Sequence, residues 1–354
     1  SMDHAAFGRL EAYMHTQMQD SAHDREHVYR VLYTALDIAA HEPGADADVL
    51  IAACLLHDVG RAEQFRDPQA DHAQVGAEKA LRFLLDDMSV EVNGTTYASD
   101  KVTSAIKQGN QKFYDAGTNE LTQSEMQQLI DYAREKKIGI IPMFDAPGHL
   151  QAVIRGMQAL GLNVVYTTPT TSGTSVNWAI NPTDTASLAF VKALMEKYVA
   201  YFAKYGSSKY FNIAADECGF ASMSTEQYTA YATFVNSLAA MVKGYGFTVM
   251  AFNDGFYYQN KTTTEDFDTD IVICYWDATA KKYAPASALA SKNFRIINTH
   301  NKWYYVIGNE STGWYGAEWS KSNMTGQYSK CNVTDGDYQT NYGCMNAIWC
   351  DNPS

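Results

Sequence analysis

The 354-residue chain is 46% apolar, which is enough for one large or two ordinary cores, and it carries a formal net charge of −13. That charge makes a nucleic-acid backbone a poor partner, because a phosphate polymer would be repelled. No apolar run reaches the length of a membrane span, and six cysteines without a CxxC pair indicate neither a zinc ribbon nor a dense disulfide scaffold. Cys331, Cys344 and Cys350 lie close enough in sequence for one bridge. Ser1-Met2-Asp3-His4 carries no signal-peptide pattern, which leaves the compartment open.

Residues 5 to about 85 read as helix, with Leu10, Met14 and Met18, then Val28, Val31, Leu32, Ala35 and Leu36 at helical spacing. Pro43-Gly44 breaks the pattern. A strongly apolar helix from Asp46 to Leu56 then runs into His57-Asp58, and a further helix spans roughly Ala73 to Leu85. Ser89–Tyr97 alternates around Asn93-Gly94, a hairpin signal. From Leu121 helices and short apolar strands alternate: helix 121–136 before strand Ile138–Phe144, helix 185–204 before Tyr210–Ala215, and helix 224–243 before Phe247–Phe252. Strands Ile271–Tyr275, Phe294–Asn298 and Met345–Trp349 follow, and residues 301–343 predict long loops. Such alternation implies a parallel sheet with covering helices.

The candidate chemistry sits at strand ends. The strand before Asp216-Glu217 is apolar, and two acids at its tip are useful only in a cleft; otherwise they are a solvated turn. Asp145–His149, Asn253-Asp254, Tyr275-Trp276, Trp303-Tyr304-Tyr305 and Trp349 with Asp351 follow other strands. An aromatic after a strand is ordinarily packing. Five such tips at the same strand end point instead to the face where parallel barrels keep their active sites. Paired acids within a Trp/Tyr wall are the parts of a glycoside-cleaving site.

On Leu81–Met88 with its hairpin, Asp145–His149, Ala215-Asp216-Glu217, Ala251–Tyr258, Tyr275-Trp276, Trp303–Tyr305 and Ile348-Trp349, residues from about 81 resemble glycoside hydrolase family 20. These are the β-N-acetylhexosaminidases, and the chain looks most like the streptococcal surface exo-β-N-acetylglucosaminidase modules. The resemblance implies a (β/α)8 TIM-type barrel and substrate-assisted retention, in which the substrate's 2-acetamido oxygen attacks the anomeric carbon. It makes Glu217 the general acid and then base, with a pKa raised toward neutrality by partial burial and by Asp216. Asp216 would hold the acetamido N–H, and Tyr305, or less readily Tyr304, the acetamido oxygen. Trp276, Trp349 and Tyr275 would line the sugar pocket, Asp351 would reach a hydroxyl, His149 would support from behind, and Asn253 and Asp254 would shape the cleft. No cofactor is implied, and the partners are N-acetylglucosamine-containing glycans. The family's first strands, including an Arg that grips the sugar, have no counterpart before Leu81. Six strands are recognised, so the expected architecture is an incomplete α/β barrel.

The first 80 residues resemble the HD superfamily of metal-dependent phosphohydrolases, through His23–Val31 and Ala53-Cys54-Leu55-Leu56-His57-Asp58. That resemblance makes His27, His57 and Asp58 ligands of a divalent metal, with His23 and His72 at secondary positions and the fourth ligand missing. The expected domains are therefore an all-α segment, 1–80, and a barrel, 81–354, with a seam within Ala77–Leu84. Two other functions follow from the same residues: an HD-type phosphohydrolase, or a non-catalytic glycan-binding remnant. The barrel favours a secreted or surface location and the helical segment a cytoplasmic one. Nothing in the sequence sets the oligomeric state.

Overall fold

The computed structural model describes residues 2–18, 22–85, 87–114, 121–168, 178–276, 282–307, 317–324, 332–334, 338–339 and 342–349. Its contacts divide the chain into two compact units, Ser1–Asp87 and Met88–Ser354.

The first unit is all helix: α1 His4–Gln17, α2 Ala22–Ala39, α3 Ala47–Leu56, α4 Arg61–Arg66 and α5 His72–Leu85. Asp3 and Asp46 cap α1 and α3, their carboxylates accepting first-turn amides, a contact worth about 1 kcal/mol each. The apolar stripes meet in a core of Leu10, Met14, Val28, Leu32, Leu55 and Val59. Pro43-Gly44 falls in the turn between α2 and α3, where the sequence places it.

The second unit opens with the expected hairpin, β1 Val90–Val92 and β2 Thr95–Tyr97, paired antiparallel. Asn93 and Gly94 both have positive φ, 51° and 78°, as a two-residue hairpin turn requires. Helices α6 Ser99–Tyr114, α7 Gln123–Glu135 and α8 Gln151–Ala159 follow, then a short hairpin of β3 Tyr166–Thr167 and β4 Ala179–Ile180. Next come α9 Thr185–Tyr205, β5 Tyr210–Asn212, α10 Thr225–Gly244, β6 Thr248–Phe252, β7 Val272–Tyr275, α11 Ala286–Ser291 and β8 Ile296–Asn298. Strands β5, β6, β7 and β8 lie side by side in chain order, all parallel.

The sheet separates two apolar layers, as the period of two demands. Phe211, Val249, Ala251, Ile273, Tyr275 and Ile296 face the main core, which also holds α9 and α10 residues such as Phe190, Leu194, Tyr231 and Val235. Ala214, Met250, Phe252, Val272 and Cys274 form a separate cluster on the other face, with Trp276 packed against it.

Three expectations change. Ile138–Phe144 is not a ladder strand: among the described residues it makes one parallel bridge, Met143 to Asn212. Pro142 has no N–H to give, and the Ile140 amide donates to Ser207 Oγ at 3.0 Å. The strand at Tyr210 ends at Asn212, because Ala214 and Ala215 adopt left-handed backbone. Residues 301–343 are not simply loop, for they contain α12 Asn301–Tyr304, β9 Tyr305–Ile307, α13 Ala317–Met324, β10 Asn332–Thr334 and β11 Tyr338–Gln339. The last strand, β12 Ala347–Trp349, pairs parallel with β9. Cys331 and Cys350 lie outside the described residues, and Cys344 is a free thiol. Among the described residues no helix is long and apolar enough to cross a membrane.

Candidate active site

The second unit's site begins where β5 stops. Ala214, Ala215 and Glu217 have φ of 53°, 59° and 48°, conformations disfavoured for residues with a Cβ. Such strain persists only where the surroundings over-determine it, and here each peptide is held. The Ala214 amide donates to Asn212 Oδ1 (2.8 Å), and its carbonyl accepts from the Phe252 amide (2.8 Å). The Ala215 carbonyl accepts the buried Tyr231 hydroxyl. The Asp216 carbonyl accepts the Cys218 thiol (3.0 Å), and the Glu217 amide donates to Asp254 Oδ2 (2.7 Å). The turn lifts Glu217 into solvent, its side chain 42% exposed, and leaves Asp216 inside at 14%.

A second loop, 145–149, packs against this turn. Gly148 makes the approach possible: a Cβ there would stand 2.6 Å from the Asp216 carbonyl oxygen. The next residue, His149, places Nε2 3.0 Å from Glu217 Oε2 and 3.8 Å from Asp216 Oδ1. In the sequence Asp145 stands out only as part of the Asp145–His149 motif, yet its carboxyl pairs with that of Asp216. Burial pushes Asp145 up to about 7, a hydrogen bond with Asp216 pulls it partly back, and the charges of Asp254 and Glu217 add to the rise. Burial and the Asp145 charge likewise hold Asp216 well above the carboxylate range, so the two carboxyls titrate as a coupled pair. Burial works against a charged His149, but the bond to Glu217 and the surrounding acids outweigh it and raise its pKa. Asp216 Oδ1 is buried and has no hydrogen-bond partner among the described residues. An Asp followed three residues later by Gly-His at a strand end was the signal available for Asp145.

The aromatic wall rises from β7. Trp276 is tied at its amide to Asn253 Oδ1 (2.8 Å), at its indole N–H to Asp254 Oδ1 (3.5 Å), and at its carbonyl to the Asn301 amide (2.8 Å). The Tyr305 ring stacks on Trp276, with centroids 6.1 Å apart and planes 12° off parallel. Tyr304 and Tyr305 are both mostly buried. Tyr275 does not belong to the wall: it points to the opposite face of β7, is 1% exposed, and donates its hydroxyl to the Ala284 carbonyl. Asn253 and Asp254 are likewise buried, at 0% and 1%, beneath the cleft rather than lining it. Trp349 ends β12, which is described by its backbone pairing to Ile307; Asp351 lies outside the described residues.

In the first unit, Asp58 is 4% exposed at the turn after α3 and faces three imidazoles: His57 at 3.4 Å, His27 at 3.8 Å and His72 at 3.9 Å. His57 Nδ1 donates to the Cys54 carbonyl (2.7 Å), which leaves Nε2 as the nitrogen available to a metal. One donor atom each from His27, His57 and Asp58 lies within 4.8 Å of the others, so this donor set fits a divalent cation. The spacing also holds for Asp145, His149 and Asp216, where the imidazole is already committed to Glu217. The side-chain surroundings of His23 are not described.

Residues 84–351 match the glycosyl hydrolase family 20 catalytic domain. The chain belongs to glycosyl hydrolase family 20. Structures of the tandem GH20 modules of the pneumococcal exo-β-D-N-acetylglucosaminidase StrH are 34% identical, cover 76% of this chain and 68% of theirs, and superpose with a TM-score of 0.67. Dispersin B shares the fold, at 20% identity and a TM-score of 0.50 over 64% of this chain and 69% of its own. Lacto-N-biosidase of Bifidobacterium bifidum is 22% identical over 65% of this chain, which spans only 21% of that protein. Residues 25–134 also match the HD domain, overlapping the glycosidase match. The family 20 unit is thus a glycosidase domain of mixed α/β, TIM-barrel type, following an all-α unit.

Proposed function

We propose that this family 20 chain is an exo-acting β-N-acetylhexosaminidase that removes terminal β-linked N-acetylglucosamine by substrate-assisted, retaining catalysis. The observation that carries the reading is the contrast between two neighbouring acids. Glu217 is solvent-facing and bonded to His149, while Asp216 is enclosed, with Oδ1 unpartnered by a hydrogen bond among the described residues. Glu217 protonates the departing glycosidic oxygen, and later takes a proton from the water that opens the oxazolinium intermediate. Asp216 accepts the acetamido N–H, turning the acetamido oxygen toward the anomeric carbon and offsetting the charge that develops on nitrogen. Trp276 and Tyr305 wall the acetamido group, with the Tyr305 hydroxyl assigned to its oxygen. Trp349 and Asp351 are assigned to the sugar ring. No cofactor takes part. Turnover of nitrophenyl β-N-acetylglucosaminide, reduced on the order of 10²- to 10⁴-fold in Glu217→Gln, tests the assignment. A well-folded chain with no turnover would leave the glycan-binding remnant as the reading.

A second activity is supported by one observation, the convergence of His27, His57 and Asp58 with the His57 tautomer fixed by Cys54. In an HD-type phosphohydrolase these residues would hold a divalent metal, whose chemistry is the activation of water toward a phosphoester. Asp58 carries the buried charge, and His72 and Arg61 stand beside it. Metal-dependent hydrolysis of phosphate esters, lost in His57→Ala, tests this reading; a protein that binds no divalent metal would remove it.

A further inference from the structure

Asp254 is enclosed at 1% exposure. Its two oxygens receive two donors from different strand tips: the Glu217 amide at 2.7 Å and the Trp276 indole N–H at 3.5 Å. Its neighbour Asn253 takes the Trp276 amide at 2.8 Å. The dipeptide after β6 thus ties the acid turn after β5 to the aromatic wall after β7. The bond to Glu217 also falls on a residue with φ of 48°, a conformation that needs an external hold.

We propose that Asp254 is a positioning residue for proton transfer: its two carboxyl oxygens fix the Glu217 backbone and the Trp276 indole at a set separation, so that the acid and the wall address the same glycosidic bond. This rests on the reading of Glu217 as the acid/base. Two acceptor oxygens are needed because two donors converge on the side chain; burial and the Asp216 charge raise its pKa, and even the protonated acid keeps a second oxygen able to accept. An amide would offer one acceptor oxygen and turn a second donor toward an N–H already there. Asp254→Asn therefore releases one of the two tips while nearly conserving shape.

The test is a series of aryl β-N-acetylglucosaminides whose phenols differ in acidity, assayed with wild type, Asp254→Asn and Glu217→Gln. A displaced acid matters most where the leaving group most needs a proton. Asp254→Asn is expected to lose on the order of 10²-fold in kcat on the least acidic phenol, to approach wild type on dinitrophenol, and to change KM only a few-fold. Glu217→Gln should show the same steepening, more strongly. A uniform loss across the series, or a change confined to KM, in Asp254→Asn beside a steep Glu217→Gln series overturns the positioning role alone. A flat Glu217→Gln series overturns the acid reading and the positioning role with it. If Asp254→Asn does not fold, hydrogen exchange of the wild-type Glu217 amide, followed by glutamate-selective ¹⁵N labelling, decides. Strong protection is expected, and exchange at the rate of an open turn overturns the proposal.

Discussion

Gly148→Ala is a small change with a calculable consequence. The added methyl would stand 2.6 Å from the Asp216 carbonyl oxygen and 3.1 Å from Cys218 Sγ. Ordinary contact begins near 3.4 Å, so the loop or the acid turn must yield by 0.8 Å, the difference between 3.4 and 2.6. The first obstacle is backbone, already held by its own hydrogen bonds, and cannot swing aside as a side-chain tip would. Overpacking of this kind costs about 1–3 kcal/mol, a fall of roughly 2–4 °C in Tm per kcal/mol for a unit of this size. His149 is the next residue and must move with the loop, stretching its 3.0 Å bond to Glu217. Misplacement of this order costs about 10²-fold in rate when it reaches the reacting groups. Thermal unfolding and kcat/KM on a nitrophenyl β-N-acetylglucosaminide should therefore fall together. Gly8→Ala is the control: it lies in α1 with nothing within 4 Å of the added methyl, and should be neutral or stabilising. Wild-type Tm and turnover in Gly148→Ala would refute the close approach of loop and turn.

Other outcomes follow from the same geometry. Asp145 binds its proton more tightly folded, at about 7, than unfolded, near 3.8, so its contribution to stability is complete below 3.8 and is lost as pH rises toward 7. His149, raised above 6.5, acts in the same sense above that pH. Urea midpoints should fall from pH 5 to pH 8, and Asp145→Asn should flatten the lower part of that fall. Tyr231→Phe strips the donor from the buried Ala215 carbonyl and should cost about 1–3 kcal/mol with a loss of turnover, measured by chemical denaturation and kinetics. Manganese or zinc should raise the unfolding temperature of the helical unit, by about 2.7 kcal/mol of stability at a hundredfold excess over Kd, and His57→Ala should abolish the shift in calorimetry.

Much of this was legible where a pattern was long or chemically special. Helices α9 and α10 lie where their periodicity places them, and β6 and β7 differ from their expected spans by a residue at one end. Asn93-Gly94 announced its hairpin through the backbone it prefers. Among the described residues Ile138–Phe144 pairs with β5 only at Asn212, which the Pro142 carbonyl and the Phe144 amide both engage; Pro142 has no N–H and the Ile140 amide is taken by Ser207, so the pairing does not extend into a ladder. In residues 301–343 the strand β9 was hidden because Tyr305-Val306-Ile307 follows an aromatic run without a turn residue between them. The resemblance assigns Tyr275 to the pocket as part of the Tyr275-Trp276 motif, but adjacent strand residues face opposite ways and of the two only Trp276 faces the second layer. Asp145 and Tyr231 escaped because their roles depend on contacts 71 and 16 residues away, to Asp216 and Ala215, which no local pattern encodes.

The central claim is that the substrate's own acetamido group is the nucleophile and Asp216 its guide. Paired assays of nitrophenyl β-N-acetylglucosaminide and nitrophenyl β-glucoside, which differ only in that group, test it most directly. Turnover confined to the acetamido sugar, and lost in Asp216→Ala with folding retained, is the predicted result; comparable turnover of both sugars would contradict it.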